Sequence, residues 1–138
     1  HFSRMDTDLA LLKCTSAYPA SIEDANLKAM AAMSNVAGCS NDFGLSDHTL
    51  GHVVACAATA LGASVIEKHL TIRRADGGPD ASFSMEPDEF KAMVIDCRQT
   101  AAALGQVRYG PTKDELPMLE VRRIRNAHRE GVSRETAE

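Results

Sequence analysis

An α/β fold with a parallel sheet is the architecture this sequence predicts. Short apolar runs that suit buried strands alternate with stretches of helical apolar spacing, in the order strand, helix, strand, helix, strand. The links between them are short, which implies right-handed crossovers between parallel strands. Each apolar run also ends in a polar cluster: Thr15-Ser16-Ala17-Tyr18, Ser46-Asp47-His48-Thr49 and His69-Leu70-Thr71. Ligands of parallel α/β sheets bind beyond the carboxyl ends of the strands, so three such ends on neighbouring strands converge on one place.

Residues 1–7 lack periodicity and read as a frayed start. Asp8–Thr15 is short and nearly continuous in its apolar run, as in a strand buried in a parallel sheet. Pro19 removes a donor and restricts Tyr18, so Ser16–Ala20 is a loop. Ser21 predicts a helix start, because its hydroxyl is a good N-cap and Glu23 and Asp24 suit the positive helix end. Leu27, Met30, Ala31 and Met33 form the core stripe of that helix, with the methionines as core filler, and Gly38 is its stop. Cys39–Asp42 is a turn and Phe43–Ser46 a very short strand.

From Thr49 onward, Leu50, Val53, Val54, Ala57, Ala58 and Leu61 predict an amphipathic helix closed by Gly62. Ala63–His69 is the third strand. Arg73–Ser84 is a long polar loop holding Gly77, Gly78 and Pro79, and loops of that length are often functional. Pro87 suits the first turn of a last helix, with the stripe Phe90, Met93, Val94, Cys97, Ala101 and Leu104 and a stop at Gly105. Beyond Gly110-Pro111-Thr112 the chain turns polar. Arginines and glutamates mix without a clean apolar face over 122–138, which predicts a solvated tail. The expected division is 1–112, the α/β part, and 113–138, a polar linker or tail.

The length of 138 residues suits one domain with a real core. A formal charge of −4 argues against nucleic acid as a partner, since that needs a basic face to neutralise phosphates. No apolar run approaches a membrane span, and His1-Phe2-Ser3-Arg4-Met5 has no signal-peptide pattern, so a cytoplasmic location without a membrane partner is expected. The absence of an initial Met is what a fragment or a processed product would show. Cys14, Cys39, Cys56 and Cys97 are scattered without a Cys-x-x-Cys pair, which suits buried thiols in a reducing compartment.

His48 and His69 sit on separate strand ends, and two converging neutral imidazoles suit a borderline divalent metal. Asp47 and Glu67 are candidate acceptors that orient the rings, although strand alternation can turn Glu67 away. The competing view makes each histidine a hydrogen-bonded, partly buried residue without a metal. A second pairing, His48 with His52 at helical i, i+4 spacing, offers a two-point chelate, but His52 belongs on a helix surface. Ser16 and Ser46 suit either a phosphate or plain helix capping. Asp80 in the long loop suits sugar hydroxyls or a turn. Gly-x-Gly-x-x-Gly, P-loop and His-Glu-x-x-His patterns are all missing, so nucleotide and zinc-protease functions gain no support.

Leu11–Ala20, Gly44–Gly51, Ile66–His69 and Gly78–Asp80 together resemble, in order and spacing, the sialic acid synthase family over residues 8–112. Arg74–Asp80 followed by Phe83-Ser84 resembles the pseudaminic acid synthase branch more than the N-acetylneuraminate branch. The resemblance implies a partial (β/α)8 TIM barrel, its last three βα units. It implies metal-dependent condensation of phosphoenolpyruvate with an acetamido sugar, here 2,4-diacetamido-2,4,6-trideoxy-altrose, to pseudaminic acid and phosphate. The alternatives are N-acetylneuraminate or legionaminic acid synthesis, or a truncated, non-catalytic barrel fragment.

By the same resemblance, His48 and His69 hold a divalent metal (Mn2+, Mg2+ or Co2+). Ser16 and Ser46 contact phosphoenolpyruvate, and Tyr18 and Asp80 contact the sugar. The family's catalytic glutamate and its phosphoenolpyruvate-binding lysines would precede residue 1, which leaves the catalytic residues of this chain unknown. Full-length members are expected to be homodimers. Leu70 stands where the family usually has Phe, and the segment from Leu116 departs from the family linker except at Arg122-Arg123. Three strands cannot close a barrel, and their open edge would expose unpaired backbone.

Overall fold

The computed structural model describes residues 9–35 and 42–135, with 126–135 described by backbone alone. Three parallel strands, β1 (Leu11–Cys14), β2 (Phe43–Asp47) and β3 (Val65–Lys68), form one sheet in the order β1-β2-β3. Helix α1 (Leu27–Ala32) lies between β1 and β2, α2 (Val53–Ala60) lies between β2 and β3, and α3 (Pro87–Leu104) follows β3. This is the α/β order expected from the apolar pattern. Strands adjacent in sequence are adjacent in the sheet, as is usual for consecutive elements joined by short links.

Side chains alternate across a sheet. Phe43, Leu45 and Ile66 turn to one face, where Met30, Val54, Ala25 and Ala58 complete a core. Ala55, Met85 and Met93 form a second cluster against which Phe90, Val94 and Cys97 pack. Gly44 belongs to the other phase. A Cβ there would lie 1.9 Å from the Val65 carbonyl oxygen, so glycine is what lets β2 and β3 pair in this register.

The chain after Ser21 is not one helix. Glu23–Ala25 is a single 3-10 turn, Asn26 takes a left-handed conformation at φ 42°, and α1 begins only at Leu27. Asparagine tolerates that region better than most residues. Ser21 donates to the Glu23 carboxylate instead of capping the helix. Gly38 and residues 39–41 of the expected turn lie outside the described residues.

Helix α2 starts at Val53 and not at Thr49. The Thr49 backbone N–H and hydroxyl both bond Asp47, and Gly51 takes a φ of 72°, so residues 49–51 form a turn. The buried face of α2 is Val54, Ala55 and Ala58, which leaves Leu50 and Val53 exposed. Helix α3 begins at Pro87 and is stopped by Gly105 as expected. Its stripe is buried at Met93 and half-buried at Phe90, Val94 and Cys97, but Ala101 and Leu104 are exposed.

The chain forms two compact units, His1–Gly105 and Gln106–Glu138. The segment expected as a polar tail carries a helix, α4 (Leu116–Glu135). A reciprocal cap precedes it. The Thr112 N–H donates to the Glu115 carboxylate (2.6 Å), and the Glu115 N–H donates to the Thr112 hydroxyl (3.2 Å). Such a pair satisfies donors that a helix start leaves open, and Pro117 fits a first turn where no N–H is needed. Among the described residues, no helix is long and apolar enough to cross a membrane.

Candidate active site at the strand ends

His48 follows β2 and His69 follows β3. Their ring centroids are 5.2 Å apart, with the planes at 68°. His48 is buried, and its Nδ1 lies 2.8 Å from the Thr15 carbonyl oxygen. A carbonyl only accepts, so Nδ1 carries a proton and, in the neutral ring, Nε2 keeps its lone pair. Thr15 is itself held: its hydroxyl donates to the Asp24 carbonyl (2.9 Å) and accepts from Lys13. Backbone just past β1 therefore fixes a ring just past β2.

Tyr18 lies over His48 with centroids 4.2 Å apart and meets His69 edge-on at 5.7 Å. Phe83, in the loop after β3, packs against both His69 (5.1 Å) and Tyr18 (5.7 Å). Asp80 of the same loop places a carboxylate oxygen 3.8 Å from His69 Nδ1, beyond hydrogen-bond length.

This loop is pinned at both ends. The Met85 N–H donates to the His69 carbonyl, and the Thr71 N–H to the Met85 carbonyl, each at 2.9 Å. Arg74 Nη1 donates to the Ser84 carbonyl at 3.0 Å, and the guanidinium forks onto Glu89 of α3, with one arm at 2.8 Å. The Arg74 guanidinium, followed by the Glu86 N–H at 2.8 Å, lowers the Glu89 carboxyl from its ordinary 4.5 to about 2.

A sequence profile described as the NeuB family matches residues 2–109. The chain belongs to the NeuB family. It is 48% identical over 99 residues to pseudaminic acid synthase of Helicobacter pylori, a match spanning 72% of this chain and 28% of that protein. It is 44% identical over 110 residues to N,N'-diacetyllegionaminic acid synthase of Legionella pneumophila, spanning 80% of this chain and 30% of that one. The crystal structure of N-acetylneuraminic acid (sialic acid) synthetase from Leptospira borgpetersenii, in complex with citrate, superposes with a TM-score of 0.67 at 34% identity, covering 83% of this chain and 39% of that chain. The chain thus spans under a third of the length of these curated NeuB-family relatives.

Of the residues singled out by sequence in this NeuB-family chain, His48, His69, Tyr18 and Asp80 come together. Ser16 stands at the margin: Cys14 Sγ is 3.8 Å from Ser16 Oγ and 3.9 Å from His48 Nδ1. Ser46 is buried and donates to the Glu67 carboxylate at 2.7 Å. That commits its only O–H, so Ser46 must turn from Glu67 before it can donate to a phosphate.

Glu67 and Asp47 do not orient the imidazoles, contrary to expectation. Alternation sends Ser46 and Glu67 to one face and Asp47 and Lys68 to the other, where those two pair. The Thr15 carbonyl takes the orienting role for His48. The His48–His52 chelate does not form: α2 begins only after His52, which pairs with Asp96 of α3 at 2.8 Å.

Thr15 and Phe83 at the site, and Lys68 behind it, were not singled out as functional by sequence; Asp47 was, but as an acceptor for a histidine and not as the partner of Lys68. The available signal was one of phase, since Asp47 and Lys68 are opposite charges that each precede a strand-end histidine.

Among the described residues, no three His, Cys, Asp or Glu side chains are gathered as metal ligands. The two neighbouring imidazoles, with His48 Nε2 outside the bond to Thr15, are the residues that would hold a divalent cation.

Proposed function

We propose that this chain is the part of a nonulosonic acid synthase that carries the metal ligands and one side of both substrate sites, its sheet forming the last three βα units of a (β/α)8 barrel. The reaction joins phosphoenolpyruvate to the open-chain aldehyde of an acetamido sugar. A bond forms between C3 of phosphoenolpyruvate and the aldehyde carbon, one water is taken up, and phosphate leaves. The sugar is 2,4-diacetamido-2,4,6-trideoxy-altrose and the product pseudaminic acid, a choice supported by the Arg74–Asp80 loop and the 48% identity to the Helicobacter enzyme.

The observation that carries this proposal is the meeting of His48 and His69 at neighbouring strand ends, with His48 Nδ1 bonded to Thr15 and Nε2 free. His48 and His69 would hold a divalent cation (Mn2+, Mg2+ or Co2+), which would supply Lewis-acid polarisation of the aldehyde oxygen. The chain's own residues bind and orient. Tyr18 shields His48 and offers a hydroxyl to the sugar, and Asp80 accepts from sugar hydroxyls. Ser16 and Ser46 receive the phosphoenolpyruvate end.

The test is phosphate release by the full-length protein from phosphoenolpyruvate with either the altrose derivative or N-acetylmannosamine. Release is expected with the first sugar, and His48→Ala or His69→Ala should lower it by about 100-fold or more. No release with either sugar would refute the proposal, and release with N-acetylmannosamine alone would move it to the sialic acid branch. Undiminished turnover in both histidine variants would remove the metal assignment.

A further inference from the structure

We infer that the buried Asp47–Lys68 pair is a positioning device that fixes the separation of the two histidines that follow it; the inference rests on the proposed metal site. Asp47 and Lys68 are in-register partners at the last positions of β2 and β3, and His48 and His69 come next. Lys68 Nζ donates to Asp47 Oδ2 at 2.8 Å and to the Thr49 carbonyl at 2.6 Å. One ammonium thus grips the residues on either side of His48 while standing next to His69 in its own chain. Asp47 Oδ1 accepts from the Thr49 N–H (2.9 Å) and hydroxyl (2.8 Å), which closes the ring around His48.

Stability alone does not explain this arrangement. The two side chains are 2% and 1% exposed, so both charges have lost their water. Desolvation offsets most of what such a pair gains, and an apolar pair of the same volume often serves stability as well or better. What an ion pair adds is direction and length. The bond lies where the β2–β3 ladder ends; beyond it His48 is bridged to Ala20 and His69 to Met85, but among the described residues no backbone bond joins the two ends to each other. Two ligands of one cation need their separation held to roughly 0.5 Å. Neither Asp47 nor Lys68 is placed to touch the reacting atoms, so both act through the histidines.

The test compares the full-length protein with the double variant Asp47→Leu/Lys68→Met, which removes both charges and keeps apolar volume. The single variants serve as controls. Thermal melts report stability, and electron paramagnetic resonance titration with Mn2+ alone reports metal affinity. Each single variant should melt lower, because it leaves one buried group unpaired. The double variant should melt close to wild type yet bind Mn2+ about 10-fold more weakly.

A double variant with both wild-type melting and wild-type Mn2+ affinity would overturn the inference. If the double variant does not fold, the isosteric Asp47→Asn decides: a cooperative melt with unchanged Mn2+ affinity overturns the inference, and weakened affinity supports it. Failure of the wild-type protein to bind Mn2+ would instead overturn the proposed metal site and take the inference with it.

Discussion

Thr15 and Phe83 shape the site without offering it a side-chain ligand. The Thr15 carbonyl sets which nitrogen of His48 is free, and the Phe83 ring closes the space beside His69 and Tyr18. Aromatic contacts of this kind contribute about 0.5–1.5 kcal/mol beyond their buried area. On the proposed synthase reaction, Phe83→Ala in the full-length protein should loosen His69 and raise the KM for the sugar several-fold, with a smaller effect on the KM for phosphoenolpyruvate; steady-state kinetics in both substrates would check this. Ser46 separates two roles. If its hydroxyl turns from Glu67 to hold phosphate, Ser46→Ala raises the KM for phosphoenolpyruvate. If it serves only Glu67, the melting temperature falls and that KM does not move.

The loop from Leu70 to Met85 carries Asp80 and Phe83, and its anchor to α3 is the Arg74–Glu89 pair. The Glu89 carboxyl stands at about 2 against an ordinary 4.5. Its folded value is the lower one, so the ionised carboxylate, held by Arg74 and by the Glu86 N–H, stabilises the fold above pH 4.5, and that contribution is lost as pH falls toward 2. The carboxylate is 45% exposed, so solvent screening keeps the effect small. Melting temperature measured from pH 5 to 2 should fall more steeply in wild type than in Glu89→Gln. Parallel curves would show that the ionised Glu89 carboxylate contributes nothing to stability.

Over the whole α/β unit, the sheet depends on one close approach. A side chain at Gly44 would meet the carbonyl of Val65, its in-register partner on β3. Gly44→Ala must push those strands apart, at a cost on the order of 3 kcal/mol. The same displacement separates His48 from His69, so Mn2+ affinity should fall together with melting temperature. A variant that melts and binds Mn2+ like wild type would mean that the strands relax without moving the histidines.

Apolar spacing determined the order of strands and helices, because burial periodicity is a local property of the chain. Pro87 and Gly105 marked the ends of α3, and position at the strand ends marked His48, His69 and Tyr18. The helix α4 was missed, because the mixed charges from Arg122 read as a tail and the Thr112-x-x-Glu115 cap ahead of it was not used. The local break at Asn26 was not legible, since a left-handed asparagine leaves no mark in apolar spacing. Only the tertiary structure decided which groups meet: Glu67 with Ser46, Asp47 with Lys68, the Thr15 carbonyl with His48. Those meetings depend on strand register. Register is set by pairing between distant segments, and a slip of one residue would turn every one of these side chains to the opposite face.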